Sequence, residues 1–370
     1  MKRLLLLGGG HAHVHVLQAL ARKPMRDTQV SLVSPFDHAI YSGMVPGWVA
    51  GHYALDDCRI PLDALARAAG VGFLQSAATA INAGARVVTL ADGRGVEYDM
   101  LSIDTGSTLP RNVIPGARLH ALAIRPMETF VSQMEEVIAS PEVRDLVVIG
   151  GGAGGFELAM ALQHRLVARG GQDVRVTLVC GAAEPLEGFP AVAVRLALRE
   201  LKAQRITVVP DSCKQILNDH VLLEHGTRVA CDVAVLAVGS HAPEWLRGSG
   251  LSLDDKGYVS TGVTLQSLSH PEVFAAGDVA SRADAPHPKS GVHAVRAGPP
   301  LARNLRRFAA GVEPTRYQPP QRTLNLLSCG RKNAIATWGS VSLRGDWVWY
   351  WKDRIDRAFV ARYRRVATAR

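Results

Sequence analysis

The amino-acid sequence predicts an α/β protein built from two strand–turn–helix–strand units. Two glycine-rich turns, at residues 8–10 and 150–155, each follow a short apolar run and precede apolar residues at helical spacing. A second apolar run then closes each unit, as expected for parallel strands joined by a helix. With 370 residues, the chain is long enough for two such domains, each with its own core.

The first unit is predicted to have strands at residues 3–7 and 30–33 and a helix at 11–21. In a dinucleotide-binding unit, the first glycine makes the tight turn, the second lets the backbone approach a pyrophosphate, and the third permits close packing of helix on strand. Those positions hold Gly8, Gly10 and His13. A histidine therefore stands where glycine is usual.

The histidines of this helix, His11, His13 and His15, raise the alternative of a metal site. Each step of two residues turns a helix by about 200°, so these side chains point in different directions and do not converge on one ion. The sequence therefore predicts no metal site. His11 and His15 are expected to be satisfied structural imidazoles, and His13 is expected to hold the helix slightly farther from the strand than glycine would.

The second unit has the full glycine spacing, at Gly150, Gly152 and Gly155, between predicted strands at residues 145–149 and 174–179. Two units predict two dinucleotide sites, one in each domain. The acidic residue that usually accepts the ribose hydroxyls is missing from both, because the second strands end at Ser34 and Cys180. Ser34 could still make a neutral hydrogen bond to a ribose.

Three later stretches complete a family pattern: "MLSIDTGS" (100–107), "VAVLAVGS" (233–240) and "HPEVFAAGDVA" (270–280). Together with the two turns, they resemble the pyridine nucleotide-disulfide oxidoreductase superfamily of flavoproteins, which have two Rossmann-like domains. The resemblance implies FAD at the first turn and NADH or NADPH at the second. The positions it implies for FAD are Gly8, Gly9, Gly10, His11, Ser34, Ala78, Thr105, Gly106, Gly277, Asp278 and Lys289. Those for the nicotinamide nucleotide are Gly150, Gly152 and Gly155.

Within the superfamily, the sequence looks closest to the branch of type II NADH dehydrogenases and sulfide:quinone oxidoreductases. The stretch "PHPKSGVHAVRAGPPLARNL" (286–305) is similar to the segment that runs beneath the flavin in this branch. The resemblance implies catalytic roles for Lys289, near the pyrimidine edge, and for Glu157, at the nicotinamide–flavin interface. The open alternatives are a solvated loop lysine and an ordinary first-turn acid stabilised by the helix dipole.

A narrower resemblance, carried by "GGGHAHVHVL", "YSGMVPGWVAGHY" and "WVWYWKDRIDRAF", is to the flavoprotein module fused to selenide, water dikinase. It implies a link to selenium metabolism and an alternative function, a flavin-binding partner module of that kinase without fast turnover. A third alternative is a sulfide:quinone oxidoreductase, which needs a thiol pair near the flavin. Residues 59–179 contain no cysteine, and Cys329 is expected to be a buried structural thiol rather than a reactive one.

The C-terminal residues 344–370 interleave aromatic and basic residues, and the net charge of the chain is +9. Val348, Trp351, Ile355 and Phe359 fall at helical spacing and predict one apolar stripe. The quinone-reducing relatives imply a membrane-surface contact through this helix; the alternative is a helix packed on the flavin domain. No nucleic-acid-binding module accompanies the charge, so nucleic acid is not a predicted partner.

The predicted organisation is an FAD-binding domain at residues 1–115 and 250–320, an NAD(P)-binding domain at 116–249 and a C-terminal cap at 321–370. Residues 125–141 are expected to form a helix that leads into the second domain. The expected function is hydride transfer from NADH or NADPH to FAD and on to an unidentified acceptor, for which the resemblance suggests a quinone. The expected location is the cytoplasm, with peripheral contact to the cytoplasmic membrane face, because the apolar run at residues 4–7 is too short for a signal peptide.

Overall fold

A computed structural model of the chain describes residues 1–109, 113–170, 173–181 and 184–368. The α-helices in these ranges, in chain order, are α1 (His11–Arg22), α2 (Val45–Val49), α3 (Leu62–Ala68), α4 (Ala117–His120), α5 (Met127–Ala139), α6 (Ala153–Ala168), α7 (Ala191–Ala203), α8 (Gly291–Ala309) and α9 (Asp346–Thr368). Short 3-10 turns lie at Ser42–Met44, Leu55–Cys58, Glu244–Leu246 and Gly277–Val279.

The strands form two parallel sheets and several smaller ones. In chain order they are β1 (Lys2–Leu7), β2 (Thr28–Ser34), β3 (His38–Ile40), β4 (Arg59–Pro61), β5 (Gly72–Gln75), β6 (Ala78–Asn82), β7 (Val87–Leu90), β8 (Gly95–Glu97), β9 (Met100–Ile103), β10 (Ala121–Ala123), β11 (Asp145–Ile149), β12 (Arg175–Val179), β13 (Thr207–Val209), β14 (Cys213–Ile216), β15 (His220–Leu223), β16 (Arg228–Ala230), β17 (Val233–Leu236), β18 (Val259–Thr261), β19 (Val273–Ala275), β20 (Ala280–Arg282), β21 (Leu324–Ser328), β22 (Ala334–Trp338) and β23 (Val341–Gly345).

The first parallel sheet has the strand order β19-β9-β1-β2-β5, with β1 at its centre. Both faces of β1 are buried, which explains its unbroken run of four leucines. Leu4 and Leu6 belong to the core that contains α1 and α8, whereas Leu5 and Leu7 pack with residues of the antiparallel sheet β6–β8. The predicted first strand and its helix are confirmed, as β1 and α1.

The second parallel sheet repeats this arrangement in the order β10-β17-β11-β12-β13. Leu146 and Val148 face the core that contains α6, and Val147 and Ile149 face the antiparallel sheet β14–β16. The predicted helix at 125–141 is present as α5. Each parallel sheet thus has the strand–turn–helix–strand core of a Rossmann-like unit, and the predicted fold class is confirmed.

The C-terminal residues form the antiparallel sheet β21–β23 and the long helix α9. The predicted apolar stripe of α9 is wrong in part, because the Trp351 and Ile355 side chains are each 41% exposed. The buried face instead contains Lys352 and Asp356, whose Nζ and Oδ2 atoms lie 2.6 Å apart. Because the two charges are paired, both residues can lie on the buried face of the helix. A pattern of apolar residues alone does not predict such a face. None of the helices in the described ranges is both long and apolar enough to cross a membrane.

Candidate functional site

The first glycine turn lies against the end of β9. Gly8 has a φ of +94°, and a Cβ atom there would lie 2.4 Å from the carbonyl oxygen of Asp104 and 2.6 Å from the Cα of Thr105. The amide of Gly10 donates to the same Asp104 oxygen at 3.1 Å. Glycine at position 8 is therefore required both by its backbone conformation and by the close approach of β9.

The Asp104 carboxylate occupies the N-terminus of α1, and the sequence did not reveal it. Its Oδ2 atom accepts hydrogen bonds from the amides of Ala12 and His13 at 2.8 and 2.9 Å. A Cβ atom on Gly10 would lie between 2.3 and 2.5 Å from the atoms of this carboxylate, and one on Gly277 would lie 2.5 Å from Oδ1. The missing Cβ atoms of both glycines thus leave room for an internal carboxyl group.

Burial raises the pKa of the Asp104 carboxyl to about 7, because the side chain is only 2% exposed. The two amide hydrogen bonds oppose this increase, and the nearby charge of Asp278 adds to it. Near neutral pH, Asp104 therefore exchanges between its acid and its carboxylate forms.

His13 is built into the contact between α1 and the sheet. Its Nδ1 atom lies 2.6 Å from the carbonyl oxygen of Gly8, and its Nε2 atom lies 2.8 Å from the hydroxyl of Ser102. Since a carbonyl oxygen can only accept, Nδ1 carries the proton and Nε2 accepts from Ser102. Burial lowers the pKa of His13 to about 4, so this imidazole is neutral at physiological pH.

His11 differs from the prediction of a satisfied structural imidazole. The ring lies 5.4 Å from the ring of Tyr41, and burial lowers its pKa to about 4. Its Nε2 atom is buried without a hydrogen-bond partner among the described residues. His15 lies against α8, where a Cβ atom on Gly298 would come within 2.8 Å of its own Cβ.

The second half of the first site is formed by Gly277 and Asp278, which follow β19. An Asp278 carboxylate oxygen lies 2.8 Å from a guanidinium nitrogen of Arg125, a residue that the sequence analysis missed. Lys289 donates to the carbonyl oxygen of Ala280 and lies 3.9 Å from the centre of the Tyr258 ring. Burial lowers the pKa of Lys289, while Asp254 and Asp278 oppose that shift, so it is not a solvated loop lysine.

The remaining positions expected for FAD lie at strand ends. Ser34 is buried, and its hydroxyl donates to the carbonyl oxygen of Phe36 at 2.9 Å. Thr105 is exposed, and no atom lies within 4 Å of the place where a Cβ on Gly106 would be. Ala78 begins β6, where it pairs with Leu90 in the antiparallel sheet rather than with the turn.

The second glycine turn is open where the first is filled. No atom lies within 4 Å of a Cβ placed on Gly152, the residue before α6. Gly150 has a φ of +124°, and a Cβ on Gly155 would lie 1.8 Å from the carbonyl oxygen of Gly150 and 3.5 Å from the Cβ of Ala237. These glycines thus give close helix–strand packing and a free helix N-terminus, the arrangement that receives a pyrophosphate.

Glu157 is not in the first turn of α6, so the alternative of an ordinary first-turn acid is wrong. It lies under the cap, where its Oε1 atom accepts a hydrogen bond from the amide of Ser328 at 2.8 Å. Burial raises the pKa of Glu157 to about 7, against the opposing charge of Lys352. Lys352 also donates to the carbonyl oxygen of Gly43, which follows β3 in the chain. These contacts place Glu157 where the two Rossmann-like units meet the cap.

All five cysteines are free thiols. Cys329 is fully buried, as expected for a structural thiol, and burial raises its pKa. Burial also raises the pKa of Cys58 to about 12, with the neighbouring Asp57 adding to the shift. Both thiols are therefore protonated and poorly nucleophilic near neutral pH.

The residues of both sites fit a dinucleotide. At the first turn, the unpartnered Nε2 atom of His11 and the open space beside Gly106 remain available to a ligand. Among the described residues, the backbone amide of His11 also has no partner within the protein. At the second turn, the open N-terminus of α6 beside Gly152 provides backbone donors for a phosphate.

Comparisons with known proteins agree with this geometry. The family model described as pyridine nucleotide-disulphide oxidoreductase matches residues 2–298. A NADH dehydrogenase-like protein of Mycobacterium tuberculosis is 29% identical over 304 residues, which cover 76% of this chain and 73% of that protein. Demethylphylloquinone reductase of Synechocystis is 26% identical over 299 residues, with coverage of 76% and 73%. The structure of sulfide:quinone oxidoreductase from Aquifex aeolicus superposes with a TM-score of 0.81 at 20% identity, covering 99% of this chain and 92% of that chain; this likeness concerns the fold alone.

Proposed function

Because the chain belongs to the pyridine nucleotide-disulphide oxidoreductase family, we propose that it is an FAD-dependent enzyme that takes a hydride from NADH or NADPH and reduces a quinone. The observation that carries this proposal is the pairing of two Rossmann-like units, with Glu157 half-buried where they meet the cap. The relatives named for NADH dehydrogenase-like and demethylphylloquinone reductase activity support the same donor and acceptor classes.

In this proposal, the FAD-binding domain comprises residues 1–115 and 250–320, the NAD(P)-binding domain 116–249 and the cap 321–370. Bound FAD supplies a centre that accepts and releases two electrons. The N-terminus of α1 would hold its pyrophosphate, Asp278 and Arg125 would hold the ribityl–phosphate portion, and Lys289 would face the pyrimidine edge. The other residues assigned to this cofactor are Gly8, Gly9, Gly10, His11, Ser34, Ala78, Thr105, Gly106 and Gly277.

The open turn formed by Gly150, Gly152 and Gly155 receives the pyrophosphate of NADH or NADPH. Glu157, on the same helix, supplies a proton from its carboxyl group to the reduced acceptor, because its pKa of about 7 keeps a large protonated fraction at neutral pH. Turnover with a quinone is then expected to fall as pH rises above about 7, since the carboxyl group loses that proton.

The cap provides the route for a lipid quinone. Large apolar side chains on β22, β23 and α9 are exposed: Trp338, Val341, Leu343, Trp347, Tyr350, Trp351 and Ile355. Basic residues of α9 flank this apolar surface, a combination that favours the interface of an anionic membrane. The proposed contact spans residues 344–370, of which 369–370 lie outside the described residues. The enzyme is then a peripheral protein of the cytoplasmic membrane face.

Sedimentation with phosphatidylglycerol vesicles tests the membrane contact. The double variant Trp347→Ser with Trp351→Ser is expected to lose most of the binding, because it removes two exposed aromatic side chains that stack on each other. The matched control, Leu119→Ser with Val167→Ser, changes two exposed apolar residues elsewhere and is expected to bind normally. Equal binding by both double variants would contradict a contact through the cap.

Steady-state turnover with NADH and a soluble quinone tests the enzymatic proposal. Glu157→Gln is expected to lower turnover by about 100-fold through loss of the proton donor. Glu136→Gln, an exposed glutamate on α5, serves as the matched control and is expected to behave as the wild type. Absence of quinone-dependent NADH and NADPH oxidation in the flavin-loaded wild type would contradict the proposed reaction.

The alternatives gain no support from the site. A sulfide:quinone oxidoreductase would need a reactive thiol pair, whereas Cys329 is buried and protonated. The partnership with selenide, water dikinase finds no support in the relatives named above and stays a resemblance in sequence.

A further inference from the structure

We infer that Asp104 is a proton-carrying ligand of the α1 N-terminus, and that FAD binds at the first turn together with one proton taken up by this residue. The inference rests on the proposed function, because it takes the first turn as the FAD site. It concerns a residue that no feature of the glycine motif predicts.

The geometry places an acid where the anionic cofactor binds. Asp104 already accepts the amides of Ala12 and His13, the second and third residues of α1. It leaves the amide of His11 for a phosphate oxygen. The pyrophosphate would therefore lie beside a buried carboxyl group at the same helix end. Two unscreened negative charges at the same helix end repel each other strongly. The acid form of Asp104 is therefore the one compatible with a bound pyrophosphate.

Within the described ranges, the one charged side chain that acts on Asp104 is Asp278, which raises its pKa further, and burial keeps His293 of the neighbouring helix α8 neutral by lowering its pKa to about 4. On α1, the imidazoles of His11 and His13 are neutral, because burial lowers the pKa of each to about 4. On the turn after β19, Asp278 is itself acidic and is already paired with Arg125. On β9, the polar side chain is the neutral hydroxyl of Ser102, which is hydrogen-bonded to His13. A proton is the remaining way to neutralise Asp104.

The proton balance follows from the two states of Asp104. Without FAD, the carboxyl group exchanges its proton with solvent near neutral pH. With FAD bound, the phosphate charge favours the acid form of Asp104. Where Asp104 is ionised in the flavin-free protein, binding of FAD therefore draws one proton from solvent onto its carboxylate. Its Oδ2 atom continues to accept both amides, and Oδ1 carries the proton. FAD affinity should therefore fall about tenfold for each pH unit above neutrality.

Titration of the flavin-free, full-length protein with FAD measures this coupling. Affinities are measured from about pH 6 to about pH 9, where free FAD has no strongly titrating group, and calorimetry in two buffers of different ionisation enthalpy counts the protons taken up. The wild type should approach uptake of one proton at the alkaline end. Asp104→Asn keeps an oxygen acceptor for the two amides and cannot ionise, so its FAD affinity should not depend on pH.

Two further variants assign the proton. Asp99→Asn removes an aspartate at the other end of β9, where it pairs with Arg3, and should keep the wild-type proton uptake. Glu157→Gln removes the other carboxyl group whose pKa is raised to about 7; it is expected to lower turnover but to keep the proton uptake that accompanies FAD binding. If Glu157→Gln abolishes the uptake and Asp104→Asn does not, the inference is wrong.

The outcomes separate this inference from the proposed function. FAD binding by the wild type with no proton uptake and no pH dependence would overturn the role of Asp104 alone. FAD binding by Asp104→Asn at alkaline pH, where the wild type binds weakly, would support both. If neither protein binds FAD at any pH, the proposed function fails at this turn and the inference falls with it.

Discussion

The two dinucleotide turns share the same backbone arrangement but differ in the side chains that surround them. His13, Asp104 and Ser102 surround the first turn; at the corresponding positions of the second unit are Gly155, Ala237 and Val235. In the first turn, side chains hydrogen-bond to the carbonyl oxygen of Gly8 and to the helix amides. In the second, small residues let the backbone segments touch directly and leave the helix end open.

The difference teaches that the glycine pattern specifies the shape of the turn but not what fills it. Close packing of helix and strand is one solution, and a buried network of neutral histidine, serine and carboxyl groups is another. The second solution satisfies two of the amides at the helix N-terminus from within the protein, and it couples that end of the helix to pH.

The largest effect is expected from Gly155→Ala. Its Cβ would lie 1.8 Å from the carbonyl oxygen of Gly150, a backbone atom that cannot move without shifting the strand. We expect a loss of more than about 4 kcal/mol in the free energy of unfolding, or no folded protein. Chemical denaturation measures the loss. A folded variant of wild-type stability would contradict the tight packing of the second turn.

The next largest effect is expected in the pH dependence of stability, because of Asp104. Its pKa is raised in the folded protein to about 7 from the ordinary value of 3.8, so the folded state holds a proton that the unfolded state has lost. Stability of the wild type, relative to Asp104→Asn, should therefore fall as pH rises between these two values and stay constant above the higher one. The predicted loss is about 4 kcal/mol, measured by urea denaturation across this range. Parallel curves for the two proteins would contradict the buried acid.

A smaller effect is expected from Gly10→Ala, because its Cβ overlaps a side chain rather than the backbone. We expect a loss of about 1–3 kcal/mol in the free energy of unfolding. Asp104→Ala should remove the overlap, so the second substitution should offset most of the crowding in the double variant. A double-mutant cycle measures this coupling, and simple additivity would mean that the two residues do not compete for the same space.

The smallest effect on stability is expected from Gly152→Ala, the matching position in the open turn. Its Cβ would meet no atom within 4 Å, and its φ of −68° suits any residue. The free energy of unfolding, measured by thermal denaturation, should therefore change by less than about 0.5 kcal/mol. Binding of NADH should still weaken, because the methyl group would project toward the phosphate position. Unchanged NADH affinity would place the nucleotide elsewhere.

Much of the fold could be predicted from the sequence, because the apolar runs and glycine turns are local signals. The roles of buried polar residues could not. Asp104 lies in a stretch that resembles an ordinary strand end, and only the approach of Gly10 and Gly277 makes it a helix ligand. Likewise, Glu157 becomes a half-buried acid because the distant strand β21 packs against it and donates the amide of Ser328 to it. The buried face of α9 differs from the predicted apolar stripe for the same reason, since Lys352 is stabilised inside by Asp356.

The central claim is that electrons pass from a nicotinamide nucleotide at the open turn to a flavin at the filled one. Anaerobic titration of the purified, flavin-loaded protein with NADH and then NADPH tests it most directly, with flavin absorbance as the readout. We predict that one of the two nucleotides bleaches the flavin at near-stoichiometric amounts and within the time of a turnover. A bound flavin that neither nucleotide reduces would contradict the claim.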